Sequence, residues 1–309
     1  MVASTDSTAP LITVFGATGT QGGSVIDHLL SSSKPYRIRA VTRDPSKPSG
    51  KKLEEKGCDV VKAEMGNENE VKKVLEGSEI VFGVTNFWEH GAEKEISDGK
   101  ILINAIKSTP SIKTFLWSGI ESVSKISQGK YTHVQHFDTK AELTEIAKRE
   151  GLPLINVQPA MYMENFLGQM GQEDGTYLLA LPVRPESKFH LINCRRDYGA
   201  YVVGALESED VKPGDGEVLA CAQEITAKDV VAQWERINNV KCTYVQAPAD
   251  QFQSMVGAEL TQMLQFFDEF GYYGGKDIEP SQKVLPETAK VQTWEGFVKA
   301  SDWSKVLSG

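Results

Sequence analysis

Short apolar runs alternate with segments whose apolar residues fall at helical spacing through the first half of the chain. Leu11-Ile-Thr-Val-Phe15 is followed by Val25, Ile26, Leu29 and Leu30 at helical intervals, which predicts a strand leading into a helix. Tyr36 to Thr42 alternates polar and apolar residues and reads as a second strand, with a helix from about Lys47 to Lys56 behind it. The rhythm continues with a strand over Cys58 to Ala63, a helix from Asn67 to Leu75 capped by Asn67 with Glu70 three residues on, and a strand over Ser78 to Val84. A helix from about Glu93 to Lys107, a strand over Thr114 to Trp117, a helix from about Phe137 to Arg149 and a strand over Leu152 to Val157 complete the series. Strands alternating with helices predict right-handed βαβ units, hence an α/β fold built on a doubly wound parallel sheet.

From about Pro159 this rhythm breaks. Short strand-like runs (Thr176 to Leu181, Lys188 to Ile192, Glu217 to Ala222, Lys241 to Gln246) alternate with helices near Arg195 to Leu206, Thr226 to Ile237 and Ala258 to Phe270. The expected division is therefore a Rossmann domain over 1–158 and a smaller α/β lobe over 159–309, with some later segments free to return to the main sheet. A ligand cleft between them follows from the placement of sites at the carboxyl ends of such strands. Gly271 to Gly275, within an aromatic stretch, is a candidate flap.

Between the first strand and helix stand Gly16, Gly19 and Gly22, spaced G-x-x-G-x-x-G. Gly16 permits the tight turn, Gly19 lets the backbone approach a pyrophosphate, and Gly22 allows close helix packing, while the first N–H groups of the helix face the anion. Thr18, Thr20 and Gln21 add side-chain donors. The string is common, but its place behind an apolar strand points to a dinucleotide.

The net charge of −9 lacks the basic footprint of a nucleic-acid binder, so direct nucleic-acid binding is not expected. Cys58, Cys194, Cys221 and Cys242 form no C-x-x-C pair, and no metal site is expected. They read as reduced structural thiols of a cytoplasmic protein, with nuclear entry open. The first ten residues lack a signal-peptide pattern and no run reaches the length of a membrane span.

At the end of the second strand an acid would serve the ribose 2′-hydroxyl of NAD, whereas an arginine accommodates the 2′-phosphate of NADP. Thr42 is neutral and Arg43 follows, while Asp44 precedes Pro45 and is explained by turn duty. NADP(H) is therefore expected over NAD(H). Glu64, after the third strand, is a candidate for the adenine edge and equally an exposed loop carboxylate. Thr85, Asn86 and Phe87 follow the fourth strand at its carboxyl end, where they line a cofactor or pack the lobe.

His136 and Lys140 open the helix before the sixth strand. In short-chain dehydrogenases this region carries Tyr-x-x-x-Lys, and histidine stands here in place of tyrosine. Together with Val14-Phe-Gly-Ala-Thr-Gly-Thr-Gln-Gly-Gly23, Val84-Thr-Asn-Phe-Trp-Glu89, His136-Phe-Asp-Thr-Lys140 and Val157-Gln-Pro-Ala-Met-Tyr-Met-Glu-Asn-Phe166, the chain resembles the NmrA-like family of atypical short-chain dehydrogenases over nearly its whole length. The resemblance implies a Rossmann domain with a smaller C-terminal lobe, and places Pro159 and Tyr162 near the cofactor. It includes dinucleotide-binding regulators that act through protein partners, and a related isoflavone-reductase-like branch that reduces phenolic substrates with NADPH and relies on a lysine matching Lys140.

Ser118, at the end of the fifth strand, matches the region of the superfamily's catalytic serine, and otherwise serves the turn before Gly119. Lys140 would face the nicotinamide ribose; His136 would cap, pack or move a proton. Ser118 and Lys140 without a tyrosine are an incomplete hydride-transfer set. The leading expectation is thus an NADP(H)-binding sensor or regulator acting through a protein partner. The alternative is an NADPH-dependent reductase of a small carbonyl, imine or enone, with Lys140 and His136 handling the proton.

Overall fold

A computed structural model describes residues 1–173, 176–287 and 289–307. The first half runs β1 (Leu11–Val14), α1 (Thr20–Ser31), β2 (Arg37–Thr42), α2 (Pro48–Glu55), β3 (Asp59–Lys62), α3 (Glu68–Leu75), β4 (Ile80–Gly83), α4 (Phe87–Lys107), β5 (Thr114–Trp117), α5 (Val123–Ile126), α6 (Gln135–Arg149) and β6 (Leu154–Pro159). There follow β7 (Met161–Tyr162), a 3-10 turn, β8 (Gly171–Glu173), β9 (Thr176–Leu181), β10 (Lys188–Ile192), α7 (Cys194–Glu207), β11 (Gly216–Ala220), β12 (Gln223–Thr226), α8 (Ala227–Asn238) and β13 (Cys242–Gln246). Helices α9 (Ala249–Val256), α10 (Ala258–Phe270), α11 (Glu279–Gln282), α12 (Trp294–Ala300) and α13 (Ser304–Leu307) end the chain.

Seven strands form the main sheet in the order β11-β6-β5-β4-β1-β2-β3, and every neighbouring pair is parallel. The order reverses at β1, which pairs with β2 on one side and β4 on the other. That reversal leaves a crevice at the strands' carboxyl ends.

Strand side chains alternate between two cores, as the pleat requires. Ile12, Val14, Ile38, Phe82 and Leu116 face Val25 and Ile26 of α1 and Tyr198 of α7. Phe15, Val41, Val81, Phe115 and Trp117 face Val71, Leu102, Ile103 and Leu143 on α3, α4 and α6. The polar Thr13 between Ile12 and Val14 is buried, and its hydroxyl is satisfied by Ser78 at 2.7 Å.

Two later segments return to this sheet. The Glu217 to Ala222 run contributes β11, an edge strand beside β6, and α7 lies on α1 with the Gly199 N–H donating to Ser24 Oγ at 2.9 Å. A Cβ at residue 199 would stand 2.1 Å from the Ser24 carbonyl oxygen, so glycine sets that close approach. The remaining strands form two small sheets, β12-β10-β7 and β13-β9-β8.

Helix α4 starts at Phe87 rather than near Glu93, because a short first turn precedes a break at Gly91, where φ is +79°. The candidate flap differs from its expectation. Tyr272 and Tyr273 are buried there, and their hydroxyls donate to the carbonyls of Pro159 at 3.0 Å and Gln158 at 3.2 Å, fastening the segment to the end of β6.

Candidate functional site

The turn after β1 takes the shape its glycines permit. Gly16 has φ +62°, a left-handed conformation that side chains rarely adopt. A Cβ on Gly22 would lie 2.3 Å from the Gly16 carbonyl oxygen, which lets α1 start directly over the turn. Gly19 precedes the helix and offers no side-chain cap, so the N–H groups of Thr20, Gln21 and Gly22 have no partner within the helix.

These residues floor a cavity of about 980 Å³ at the crevice. The candidate cofactor and catalytic residues line it: Gly16, Thr18, Gly19, Thr20, Gln21 and Gly22 on the floor, Arg43 and Glu64 toward β2 and β3, Thr85, Asn86 and Phe87 after β4, Ser118 after β5, His136 and Lys140 on α6, and Pro159 and Tyr162 on β6 and β7. The Gln21 amide donates to the Tyr162 hydroxyl at 2.6 Å, which joins the glycine turn to β7. Among the described residues, Gln21 Oε1 and Ser118 Oγ are buried without a hydrogen-bond partner. Unmet polar atoms beside uncapped helix N–H groups and a glycine cradle fit a polyanionic, hydroxyl-rich ligand of dinucleotide type.

Arg43 is exposed, and its guanidinium pairs with Glu89 of the first turn of α4. The hydrogen bond from Arg43 is the main reason that the Glu89 carboxyl lies below its ordinary value. Glu64 is exposed at the rim, and its side chain is not among the hydrogen-bonded groups of the cleft.

Lys140 is committed inside the wall. Its ammonium reaches the Thr85 carbonyl and Thr85 hydroxyl, each at 2.9 Å, and the Glu95 carboxylate. Glu95 has no exposed side-chain surface, and also accepts from the hydroxyls of Thr85 at 2.6 Å and Thr139. Burial holds the Lys140 ammonium below its ordinary value, against the opposing pull of Glu95. The three protons of an ammonium are thus matched by three protein acceptors.

His136 is held differently. Its Nδ1 meets the Glu259 carboxylate, and the same oxygen accepts the His136 backbone N–H at 2.9 Å. The ring lies among Phe87, Trp88 and Phe137, with centroids 5.8, 4.9 and 4.9 Å away. Burial raises the Glu259 carboxyl, but the His136 ring and backbone hydrogen bonds together bring it below its ordinary value.

Sequence reasoning missed both acids. Glu95 carried a signal, since Glu95, Gly99, Leu102 and Ile106 form one helical stripe whose other members are buried. Glu259 carried none, because its importance depends on α10 meeting α6 across 123 residues of sequence.

A doubly wound parallel sheet whose reversal point opens over an uncapped glycine turn defines the chain as a dinucleotide-fold α/β protein. It belongs to the NmrA-like family, whose sequence profile matches residues 8–298. The NmrA-like family domain-containing oxidoreductase cpsB of Aspergillus campestris is 27% identical over 320 aligned positions, covering 94% of this chain and 92% of that protein. The oxidoreductase ptmS of Penicillium ochrochloron is 31% identical over 171 residues, and there the match spans 53% of this chain and half of the relative. Among solved structures, the negative transcriptional regulator NmrA in complex with NADP shares the fold with a TM-score of 0.75 at 18% identity, over 94% of this chain and 95% of that one. The NADPH-dependent quinone oxidoreductase QOR2 of Escherichia coli, complexed with NADPH, gives 0.71 at 22% identity, over 93% and 98%.

No helix among the described residues is long and apolar enough to cross a membrane.

Proposed function

We propose that this protein is an NADP(H)-dependent oxidoreductase that reduces a small apolar carbonyl, imine or enone. The observation that carries the reading is the extent of the cleft. From the glycine turn it continues past Ser118 and Lys140 into a vestibule walled by Phe87, Trp88, Leu260, Met263 and Phe267, which is room of the right polarity for a second, apolar molecule. The oxidoreductase names of the relatives cpsB and ptmS accord with it.

The turn from Gly16 to Gly22 holds the pyrophosphate, Arg43 the 2′-phosphate, and Thr85, Asn86, Phe87, Pro159 and Tyr162 the nicotinamide half, with Ser118 toward the reacting end. A bound reduced nicotinamide supplies hydride. Lys140, with its protons already engaged, sets the shape of the wall through Thr85 rather than giving up a proton. Mixing the protein with NADPH and a panel of aldehydes, quinones and enones, and following cofactor absorbance, tests this; tight NADPH binding with no turnover of any member would refute it.

A second reading, the NADP(H)-dependent regulator acting through a protein partner, draws support from Arg43 and Glu89. A 2′-phosphate competes with Glu89 for the guanidinium, and Glu89 sits with the 63%-exposed Trp88 in the short turn that Gly91 separates from the rest of α4. Occupancy would thereby change a surface bearing an exposed aromatic. A pull-down in which NADPH changes what is retained supports this reading. This reading places the protein in the cytoplasm, with nuclear entry open.

A further inference from the structure

Two proton-bearing side chains stand one helical turn apart on α6, and their surroundings are opposite. Lys140 has no donor left for a ligand, since Thr85 and Glu95 take its protons. Among the described residues, His136 is engaged through one ring nitrogen only. Its Nδ1 faces Glu259, its backbone N–H is tied to the same oxygen, and Phe87, Trp88 and Phe137 enclose the ring. Its side chain keeps 12% exposure and lines the cavity beside Lys140.

An ionised carboxylate accepts hydrogen bonds and donates none, so Glu259 selects the Nδ1–H form of the ring. That leaves Nε2 as the nitrogen available to the cavity. The second hydrogen bond, from the His136 backbone, fixes the carboxylate itself, so the orientation does not depend on a single contact. Glu259 also lies in the first turn of α10, where the helix favours a negative charge. A ring nitrogen oriented from behind by a carboxylate is the arrangement by which an imidazole is held for proton transfer.

We propose that His136 is the catalytic proton donor of this site and that Glu259, brought from α10, is its positioning residue. The proposal rests on the reductase reading above. In carbonyl reduction the bound cofactor supplies hydride to the carbonyl carbon. The π electron pair of the C=O bond moves onto oxygen, and the proton on His136 Nε2 passes to that oxygen to give the alcohol. The imidazolium becomes the neutral Nδ1–H imidazole, and water returns the proton. The substrate gains two electrons and the cofactor loses two.

The test uses the full chain labelled with ¹⁵N-histidine, with the His136 resonances identified by their loss in His136→Asn. Long-range proton–nitrogen spectra are recorded with and without NADP⁺, alongside NADPH consumption with the quinone, aldehyde and enone panel. The expected spectrum shows Nδ1 protonated and Nε2 bare in neutral His136, and Glu259→Ala shifts the ring toward the other tautomer. The expected kinetics are a loss of about 100-fold or more in turnover in His136→Asn, with NADPH affinity retained, and partial recovery of His136→Gly by added imidazole. A neutral ring that carries its proton on Nε2 and leaves Nδ1 bare in the wild-type protein, or a tautomer unmoved by Glu259→Ala, overturns the role of Glu259. Turnover that survives His136→Asn overturns His136 as donor while leaving the reductase reading intact. A wild-type protein that binds NADPH and consumes it with no panel member overturns the reductase reading and the catalytic role together, whichever tautomer is seen.

Discussion

Lys140 and Glu95 meet in the wall of the cleft, the ammonium of one against a carboxylate with no exposed side-chain surface. Truncating one member of such a pair leaves an uncompensated charge in the interior. Glu95→Ala is therefore expected to lower stability by about 3–5 kcal/mol, while Glu95→Leu combined with Lys140→Met recovers most of that loss. Denaturant midpoints of the single and double variants measure it. Additive losses in the double variant would show that the pair is not coupled.

The pair also shows what a motif cannot convey. His136 and Lys140 are legible in sequence as a spacing on a helix, but what occupies their protons is not. Helical phase could have placed Glu95 beside the core, since Gly99, Leu102 and Ile106 mark the stripe. The succession of strands and helices was legible through β6 because each strand and helix carries its own periodicity. That later segments were free to return to the sheet was also legible, but that β11 is the strand that does so, and that α7 lies on α1, was not, because pairings between distant segments leave no local pattern. The Gly271 to Gly275 segment misled for a related reason: its glycines suggested freedom, whereas the tyrosines between them are fixed by carbonyls of β6 that no local pattern links to them.

Gly22 lies under the Gly16 carbonyl with no space for a methyl group, and the obstructing atoms are backbone. Gly22→Ala must displace the turn or the start of α1, at a cost of about 1–3 kcal/mol for the overpacking. The expected result is a lower melting temperature with a larger proportional loss of NADPH affinity. A variant that binds NADPH as the wild type does would remove the turn from the binding site.

Arg43 offers a prediction of two signs. Loss of a charge-assisted contact worth about 1.5–3 kcal/mol weakens NADPH binding by about 10- to 100-fold in Arg43→Ala, with NADH binding little changed. Glu89→Gln, by contrast, releases the guanidinium from its carboxylate partner and is expected to tighten NADPH binding several-fold. Fluorescence titration with both nucleotides measures the pair of effects. Equal changes for NADPH and NADH in Arg43→Ala would rule out recognition of the 2′-phosphate by this residue.

Glu259 links the site to acid stability. Its folded-state value lies below the ordinary 4.5, because the His136 ring and backbone hydrogen bonds outweigh the effect of burial. A carboxyl with a depressed folded value contributes stability that is fully present above its unfolded value and is lost as pH falls through the folded one. Thermal melts of Glu259→Gln should accordingly fall below those of the wild type at neutral pH, and the two should converge as the solution is taken below about pH 4. The contrast with His136→Asn is informative, since that variant removes the ring's hydrogen bond but keeps the backbone donor to the same oxygen. Its neutral-pH deficit is expected to be smaller than that of Glu259→Gln. A deficit in Glu259→Gln that stays constant down to pH 3 would mean that the carboxylate charge is not what joins α10 to α6.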